Sequence, residues 1–425
     1  MAGRIVQPSS APERADQLTV RRTNLAVALR SLRDAGPRSR ARLAEDTGLN
    51  KATISSLVAE LVERGLVAER GVDRAGAAGR PGVVVKVDGR HVYGIGIELN
   101  VDYAAVLALD LGGEVLFARR LPVDVPRLGP ARTFDAVVAI VQEAIGAAAR
   151  QGSEAPAGIT VAMPGQVQAG PGVLTFAPNL GWRDIPIVRE LAGRLGNPAF
   201  RIRIDNDANL SAIGEWAYGG AAGTADLVYL TGEVGVGAGV IVDGKLLRGA
   251  EGFSGEVGHM PLDPVGALCG CGRRGCWETI VGLAALLRLT ADPEDEVRDP
   301  SLDLEQRLTE IVRRAEAGDV RTLGALEQIG AGLGLGASIL INLFNPRVIV
   351  LGGYFAVVGR YLLEPMMAEL RSRVIAPDIG GCRVETSTLG FTAAVRGGAQ
   401  LALEAVLDDP TIVSPPRLDV PSGVA

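Results

Sequence analysis

Cysteine is scarce in this 425-residue chain, four in all, and three of the four fall between Cys269 and Cys276. Three clustered thiols and a distant Cys382 cannot build the spaced, even-numbered framework of a disulfide-stapled secreted domain. Long apolar runs are missing as well. The most hydrophobic windows, such as residues 331–344, are short and rich in glycine, so no membrane span is expected. The N-terminus has no apolar signal-peptide core, which makes the cytoplasm the expected location. Lysine is nearly absent: Lys51, Lys86 and Lys245 are the only three among 43 basic residues, and the excess of arginine and alanine reads as genome composition. What remains, 47% hydrophobic and 22% charged residues, is the make-up of a globular protein long enough for two or three domains.

The scarce residues are concentrated in one stretch. Glu256, His259, Cys269, Cys271, Cys276 and Glu278 follow one another within residues 251–278. Three thiolates and one imidazole, His259, Cys269, Cys271 and Cys276, make up the four N/S donors that tetrahedral zinc requires, and the intervening glycines let the backbone turn tightly around an ion. A complete Cys3His shell leaves no position for water or substrate, which points to a structural Zn2+ rather than a catalytic one. A reduced, buried cysteine cluster beside an ordinary histidine is the plainer alternative.

The net charge of −6 conceals an asymmetry: residues 1–90 carry 16 Arg/Lys against 10 Asp/Glu, and the remainder 27 against 39. A basic head on an acidic body suggests a polyanionic partner for the head. Residues 1–20 lack apolar periodicity and read as a disordered tail. From Thr23, Leu25, Leu29 and Leu32 recur at helical spacing until Gly36-Pro37 ends the segment. Ser39 can cap a second helix; Gly48 supplies a turn; Asn50 can cap a third helix with Ile54, Leu57 and Leu61 inward, and Gly65 stops it. On this third helix Lys51, Thr53, Ser55 and Ser56 face outward and are short or polar enough for a major groove. Alternating segments at 66–70 and 83–87 then form a wing, whose loop carries Arg74 and Arg80; Arg80 is placed to reach phosphate or a narrow minor groove. A winged helix-turn-helix over residues 21–88 therefore binds operator DNA, while a three-helix module with a merely solvated polar face is the alternative.

From residue 92 the pattern changes to strand runs at 92–99, 104–110 and 113–119, followed by a helix over 134–150; the theme returns at 227–231 and 237–242. Two related α/β lobes with a cleft between them follow from the repetition. At this point the sequence resembles the ROK family (repressors, open reading frames, kinases). The matching pieces, in family order, are Pro178-Asn179-Leu180-Gly181-Trp182, Asp205-Asn206-Asp207-Ala208-Asn209, Gly235-Val236-Gly237-Ala238-Gly239, Gly255-Glu256-Val257-Gly258-His259, the cysteine cluster, and Asn345-Pro346 leading to Leu351-Gly352-Gly353. The resemblance implies an actin-like, hexokinase-type fold over residues 89–407, with a small lobe over about 89–204 plus the C-terminal helix and a large lobe over about 205–390 carrying the zinc loop. It leaves 408–425 as a flexible tail. It also implies a sugar in the cleft, held by Asn179, Asn206, Asp207, Glu256, His259 and Glu278, with Asp207 at the position of the kinases' catalytic base. His259 would give one ring nitrogen to zinc and the other to sugar.

The same comparison exposes losses. Where ROK kinases have an Asp-x-Gly-Gly-Thr-Lys turn for phosphate, this chain has Glu98-Leu99-Asn100-Val101-Asp102-Tyr103; a second phosphate turn, Gly-Thr-Gly in the family, is Glu233-Val234-Gly235; and Tyr354 replaces a third glycine after Gly352-Gly353. The expectation is a DNA-binding repressor of carbohydrate genes that binds sugar without phosphorylating it, as at least a homodimer or a homotetramer. The rival readings are an active sugar kinase with a DNA-binding head and a corepressor that binds a phosphotransferase component. Phosphorylated sugars are possible effectors if Arg183 or Arg273 faces the cleft; xylose, glucose and N-acetylated hexosamines are all compatible.

Overall fold

The computed structural model describes residues 16–72, 83–153, 155–300 and 302–415; the wing arginines Arg74 and Arg80 lie outside them. The chain divides into two units, one made of the residues up to 91 together with those from 404 onward, the other of Val92–Leu403.

In the first unit α1 (Gln17–Ala35) starts six residues before Thr23, the point at which the apolar period begins, so residues 17–20 are helix and not tail. Asp16 caps it by accepting the Thr19 amide at 2.7 Å, and because Leu18 and Val20 are exposed the first turn leaves no hydrophobic signature. Strand β1 (Arg38–Ser39), absent from the sequence reading, leads into α2 (Arg40–Thr47), which Gly48 ends at φ 70°. Asn50 accepts the Thr53 amide at 2.8 Å and starts α3 (Lys51–Glu63). Leu25, Leu29, Leu43, Ile54, Leu57 and Leu61 close the core of the three helices. The wing strands β2 (Val67–Val72) and β3 (Val83–Val87) pair antiparallel, with β1 on the far side of β3. Residues 408–415, expected to be a free tail, are bound to this unit: Arg64 donates to the carbonyls of Thr411 and Val413 at 3.1 and 2.7 Å, and Arg30 pairs with Glu404 and Asp408 at 2.7 and 2.5 Å. The carbonyl acceptors belong to the backbone, so composition gave no sign of this contact.

The second unit holds two sheets of the same topology. β4 (Val92–Leu99), β5 (Tyr103–Asp110) and β6 (Val115–Pro122) form an antiparallel meander, α4 (Val125–Arg150) follows, and β7 (Ala155–Met163) returns parallel to β4. α4 is longer than its apolar period suggested, because a turn at Val125 is joined across Gly129, at φ 75°, to the regular helix. A small sheet of β8 (Gln166–Gln168), β9 (Val173–Ala177) and β10 (Trp182–Ile185) is inserted before α5 (Ile187–Arg194) and β11 (Arg201–Asn206). The strand order is β11-β7-β4-β5-β6. After α6 (Asp207–Tyr218) the plan repeats with β12 (Leu227–Gly232), β13 (Val236–Val242) and β14 (Lys245–Leu246). Helices α7 (Trp277–Val281), α8 (Leu283–Thr290), α9 (Leu304–Glu316) and α10 (Val320–Phe344) come next. β15 (Val348–Gly353), α11 (Tyr354–Val357), α12 (Gly359–Arg373), β16 (Arg383–Thr386) and α13 (Ala393–Asp408) complete the chain. The second order, β14-β13-β12-β15-β16, mirrors the first.

The apolar window at 331–344 is the second half of α10, the one helix among the described residues long and apolar enough by length and composition to cross a membrane. Here it is a core helix, with 67% of its most apolar stretch buried inside the protein. Gly330 and Gly334 let α12 approach so closely that a Cβ would meet the carbonyls of Leu362 and Met366 at 2.7 and 2.6 Å.

The helices that connect the sheets touch through glycine. A Cβ on Gly214 of α6 would lie 2.2 Å from the Ala393 carbonyl, and one on Gly397 of α13 only 1.7 Å from that of Leu210. Even alanine requires a backbone shift there. Gly397→Ala should therefore lower the unfolding free energy by about 1–3 kcal/mol. Gly324→Ala, on α10 with open space around it, should be neutral or stabilising by up to about 1 kcal/mol. Urea unfolding of the two variants checks the contrast, and equal stabilities would refute the packing argument.

Candidate functional site

The two sheets of the second unit direct their chain reversals at one cavity of about 290 Å³. Asn179, Asn206, Asp207, Glu256, His259 and Glu278, far apart in sequence, all line it. Asn206 ends β11 and caps α6, its Oδ1 accepting the Ala208 and Asn209 amides at 2.9 and 3.2 Å while its Nδ2 donates to the Gly165 carbonyl at 3.1 Å. Its side chain is thereby fixed before any ligand arrives. Asp207 follows at the first position of the helix, and burial pushes its carboxyl up to about 7, with the nearby Glu256 adding to the effect. Asp205, beneath them, accepts the Asn206 amide and the Asn209 side chain and forms an ion pair with Arg248. Asn179 sits in the turn between β9 and β10.

The loop from Glu256 to Glu278 contributes the opposite wall. His259 Nδ1 lies 3.8 Å from Cys269 Sγ, Cys271 and Cys276 sulfurs are 3.7 Å apart, and the four donor atoms all lie within 4.8 Å of one another. A tetrahedral zinc with bonds of about 2.3 Å to sulfur separates its thiolates by about 3.8 Å, so the spacing fits the ion without rearrangement. The imidazole's other nitrogen, Nε2, points toward Glu256 at 3.9 Å. One ring thus joins the sulfur cluster to the cleft wall. The loop is tight because Gly275, at φ 68°, lies where a Cβ would come 1.5 Å from the Asp263 carbonyl. It is anchored by Trp277, fully buried, which donates to the Gly332 carbonyl at 2.8 Å and lies against Gly336 of α10. Glu278 accepts the Val236 amide at 3.1 Å, tying the loop to β13. Cys382 is remote from this cluster, buried beside β16.

At the other end of the cleft the two altered turns are closed on themselves. Asn100 N donates to the Tyr103 carbonyl at 2.9 Å, and the Val101 amide donates to the Asn100 side chain at 2.7 Å. In the second turn Glu233 N donates to the Gly235 carbonyl at 3.0 Å. These three backbone N–H groups, which in a glycine-rich turn would be available to a phosphate, already have partners here. Tyr354 is fully buried and bonds to the Val281 carbonyl instead of facing the cleft. Asn100, Glu233 and Arg273 also line the cavity; Arg273 was the conditional candidate for a phosphorylated ligand, whereas Asn100 and Glu233 were not expected as site residues, the departures from the family's phosphate turns being the available signal for them. Arg183 lies over the Phe176 ring at 4.2 Å and does not line the cavity.

On the head, Lys51 and Ser56 are exposed on α3, and Thr53 and Ser55 are partly covered. Arg21 reaches Ser56 at 3.3 Å and Glu60 at 2.7 Å, so Ser56 is held by α1.

Residues 94–405 match the ROK family. The chain belongs to that family. Residues 25–71 match the IclR helix-turn-helix domain. The xylose repressor of Bacillus spizizenii is 33% identical over 395 residues, covering 93% of this chain and 98% of the repressor. Among solved structures, a ROK family transcriptional regulator homologous to the E. coli MLC protein superposes with a TM-score of 0.73 at 25% identity, covering 92% of this chain and 97% of its own. A ROK glucokinase from Streptomyces griseus, in complex with glucose and AMPPNP, gives a TM-score of 0.62 at 26% identity over 73% of this chain and 99% of the kinase. The ROK protein thus combines an N-terminal helix-turn-helix with a sugar-kinase-like α/β body, as the sequence implied.

Protein purified without chelator should carry one zinc per chain by elemental analysis, and Cys271→Ser should lose it; a metal-free wild type would remove the tetrahedral reading. A second expectation concerns pH. Burial raises the Glu98 carboxyl from 4.5 to about 8, so the folded state holds a proton that the unfolded chain releases. Stability from this group is complete below about 4.5 and lost once pH has risen through about 8. The loss in urea-unfolding free energy between pH 6 and pH 8.5 should shrink in Glu98→Gln; an unchanged loss would show that Glu98 titrates normally.

Proposed function

We propose that this ROK protein is a sugar-responsive transcriptional repressor that binds operator DNA through its head and a sugar in its cleft, without phosphorylating it. The observation that carries the reading is the contrast within one cavity: six hydroxyl-binding side chains converge at one end, while at the other the turn amides are bonded to the protein itself. Carboxylates and amides match vicinal hydroxyls in pairs, and a buried site of this kind rejects ligands that leave its polar groups unsatisfied. Asp207 could still accept a proton, yet phosphoryl transfer is chiefly positioning and charge stabilisation of the phosphates, and in these turns the Asn100, Val101 and Glu233 amides are already bonded and there is no lysine. The xylose repressor and MLC-type regulator discussed above favour the same reading.

Zn2+ held by His259, Cys269, Cys271 and Cys276 acts structurally in this account, fixing the His259 ring so that Nε2 faces the sugar. Lys51, Thr53, Ser55, Ser56 and Arg80 contact DNA. A homodimer or homotetramer matches the two-fold symmetry of typical operators, and the cytoplasm is the corresponding location. Sugar changes DNA affinity to the extent that it binds two states of the protein unequally.

Fluorescence anisotropy on DNA from the protein's own upstream region tests the reading. Specific binding should be altered by one of xylose, glucose or N-acetylglucosamine, with no ATP consumed in parallel. Glu256→Ala should weaken that sugar by about tenfold or more, the scale of one lost hydrogen bond to a charged group. Sugar-dependent ATP turnover would instead establish a kinase.

A further inference from the structure

The closed end of the cleft is acidic as well as blocked. Glu98 is 2% exposed and takes the Tyr103 hydroxyl at 2.7 Å on Oε1, while Oε2 has no partner among the described residues. The same hydroxyl lies 3.4 Å from Glu233, and Asn100 Nδ2, 3.2 Å from the hydroxyl, donates to Glu233 as well. Two carboxyl groups from different lobes thus meet at one phenol, and the Asn100 amide ties that phenol to Glu233. Asp207 is their third neighbour: burial raises both Glu98 and Glu233, Asp207 raises each further, and Glu98 adds to the rise of Glu233.

Among the described residues no cation forms an ion pair with Glu98, Asp207 or Glu233, although Arg120 lowers Glu98. Arg273 is the one guanidinium lining the cavity, and it is carried by the cysteine loop, where its carbonyl accepts the Cys269 amide at 2.7 Å. Arg120, which lies 4.0 Å over the Tyr103 ring and pairs with Glu305, does not line the cavity. The N-terminus of α6 would ordinarily attract an anion, but its first amides are bonded to Asn206 and Asp207.

We propose that Glu233, held by Asn100 and Tyr103 beside Glu98, is a specificity-determining residue that admits sugars with a free hydroxyl facing Asp207 and rejects the same sugars phosphorylated on that hydroxyl. The inference rests on the sugar-sensor reading and narrows its ligand class to neutral sugars. A phosphate on the hydroxyl beside Asp207 must enter the space bordered by Glu233 and Asn100. There an ionised carboxyl repels it and a protonated one supplies no positive charge, so in either state Glu233 gives a phosphate leaving water no compensation. A hydroxyl, by contrast, can donate to or accept from the same carboxyl.

Isothermal titration of the full-length zinc-loaded protein decides the matter, using glucose, N-acetylglucosamine and their 6-phosphates. The free sugar that binds should do so at least about 100-fold more tightly than its 6-phosphate, two decades being about 2.8 kcal/mol. Glu233→Lys, which supplies a positive charge where the carboxyl stands, should reduce that ratio at least tenfold whichever protonation state Glu233 holds, and Glu233→Thr, which removes the carboxyl and widens the space, provides the same readout if the first variant folds poorly. A 6-phosphate that binds wild type as well as the free sugar, or a ratio unchanged in both variants, overturns the proposal while leaving the sensor reading intact. Failure of glucose and N-acetylglucosamine to bind, free or phosphorylated, overturns this inference, and failure of xylose as well sinks the sensor reading itself.

Discussion

Backbone-to-backbone contact between α6 and α13 fixes the body's arrangement. α13 lies against the first sheet, where a Cβ on Gly96 would meet the Val395 carbonyl at 1.8 Å, and α6 lies against the second, where one on Gly239 would meet the Ala208 carbonyl at 2.5 Å. With Gly214 and Gly397 at their mutual contact, the two helices bring two separately folded sheets close enough to share one cavity. The first residue of α6 is Asp207. Any side chain at the helix contact would move that carboxyl relative to Glu256 and Glu278, so a packing constraint sets the geometry of the polar site.

His259 performs a similar service at smaller scale. A neutral imidazole has two chemically distinct nitrogens, and this ring divides them between the sulfur cluster and the cleft. A metal ion in the cluster would hold the ring orientation that Trp277 and α10 support from behind. Binding sites depend on such support: a side chain free to rotate loses affinity through the entropy of fixing it.

At the end of the cleft formed by the two altered turns, the substitutions act locally. Asn100 replaces conformational freedom with a side chain that caps the amide of Val101, Val234 takes the place of a hydroxyl donor, and Glu233 stands at a glycine position as an acceptor that engages Asn100. Neither change disturbs the strands that flank the turns, since β4 still pairs with β5 and β12 with β13 along their lengths. The fold therefore survives while the Asn100, Val101 and Glu233 amides are bonded within the protein and a carboxyl stands between the turns.

Much of this was legible in the chain itself. Periodicity located the strands at 92–99 and 227–232, caps such as Asn50 located the helix starts, and the cluster from His259 to Cys276 announced four donors because soft ligands so close together have few other uses. Local chemistry writes such features into short stretches of sequence. Features built from backbone groups left no such trace: the start of α1 at an exposed first turn, the seating of Thr411 and Val413 carbonyls on Arg64, and the self-bonding of the turn amides. The acidic cluster of Glu98, Glu233 and Asp207 joins residues more than a hundred positions apart, and only the approach of the two sheets through glycine decided that they would meet. Sequence determines what each segment can form and which donors it carries; their shared environment, and with it the burial that alters their charge, is a property of the packed tertiary structure alone.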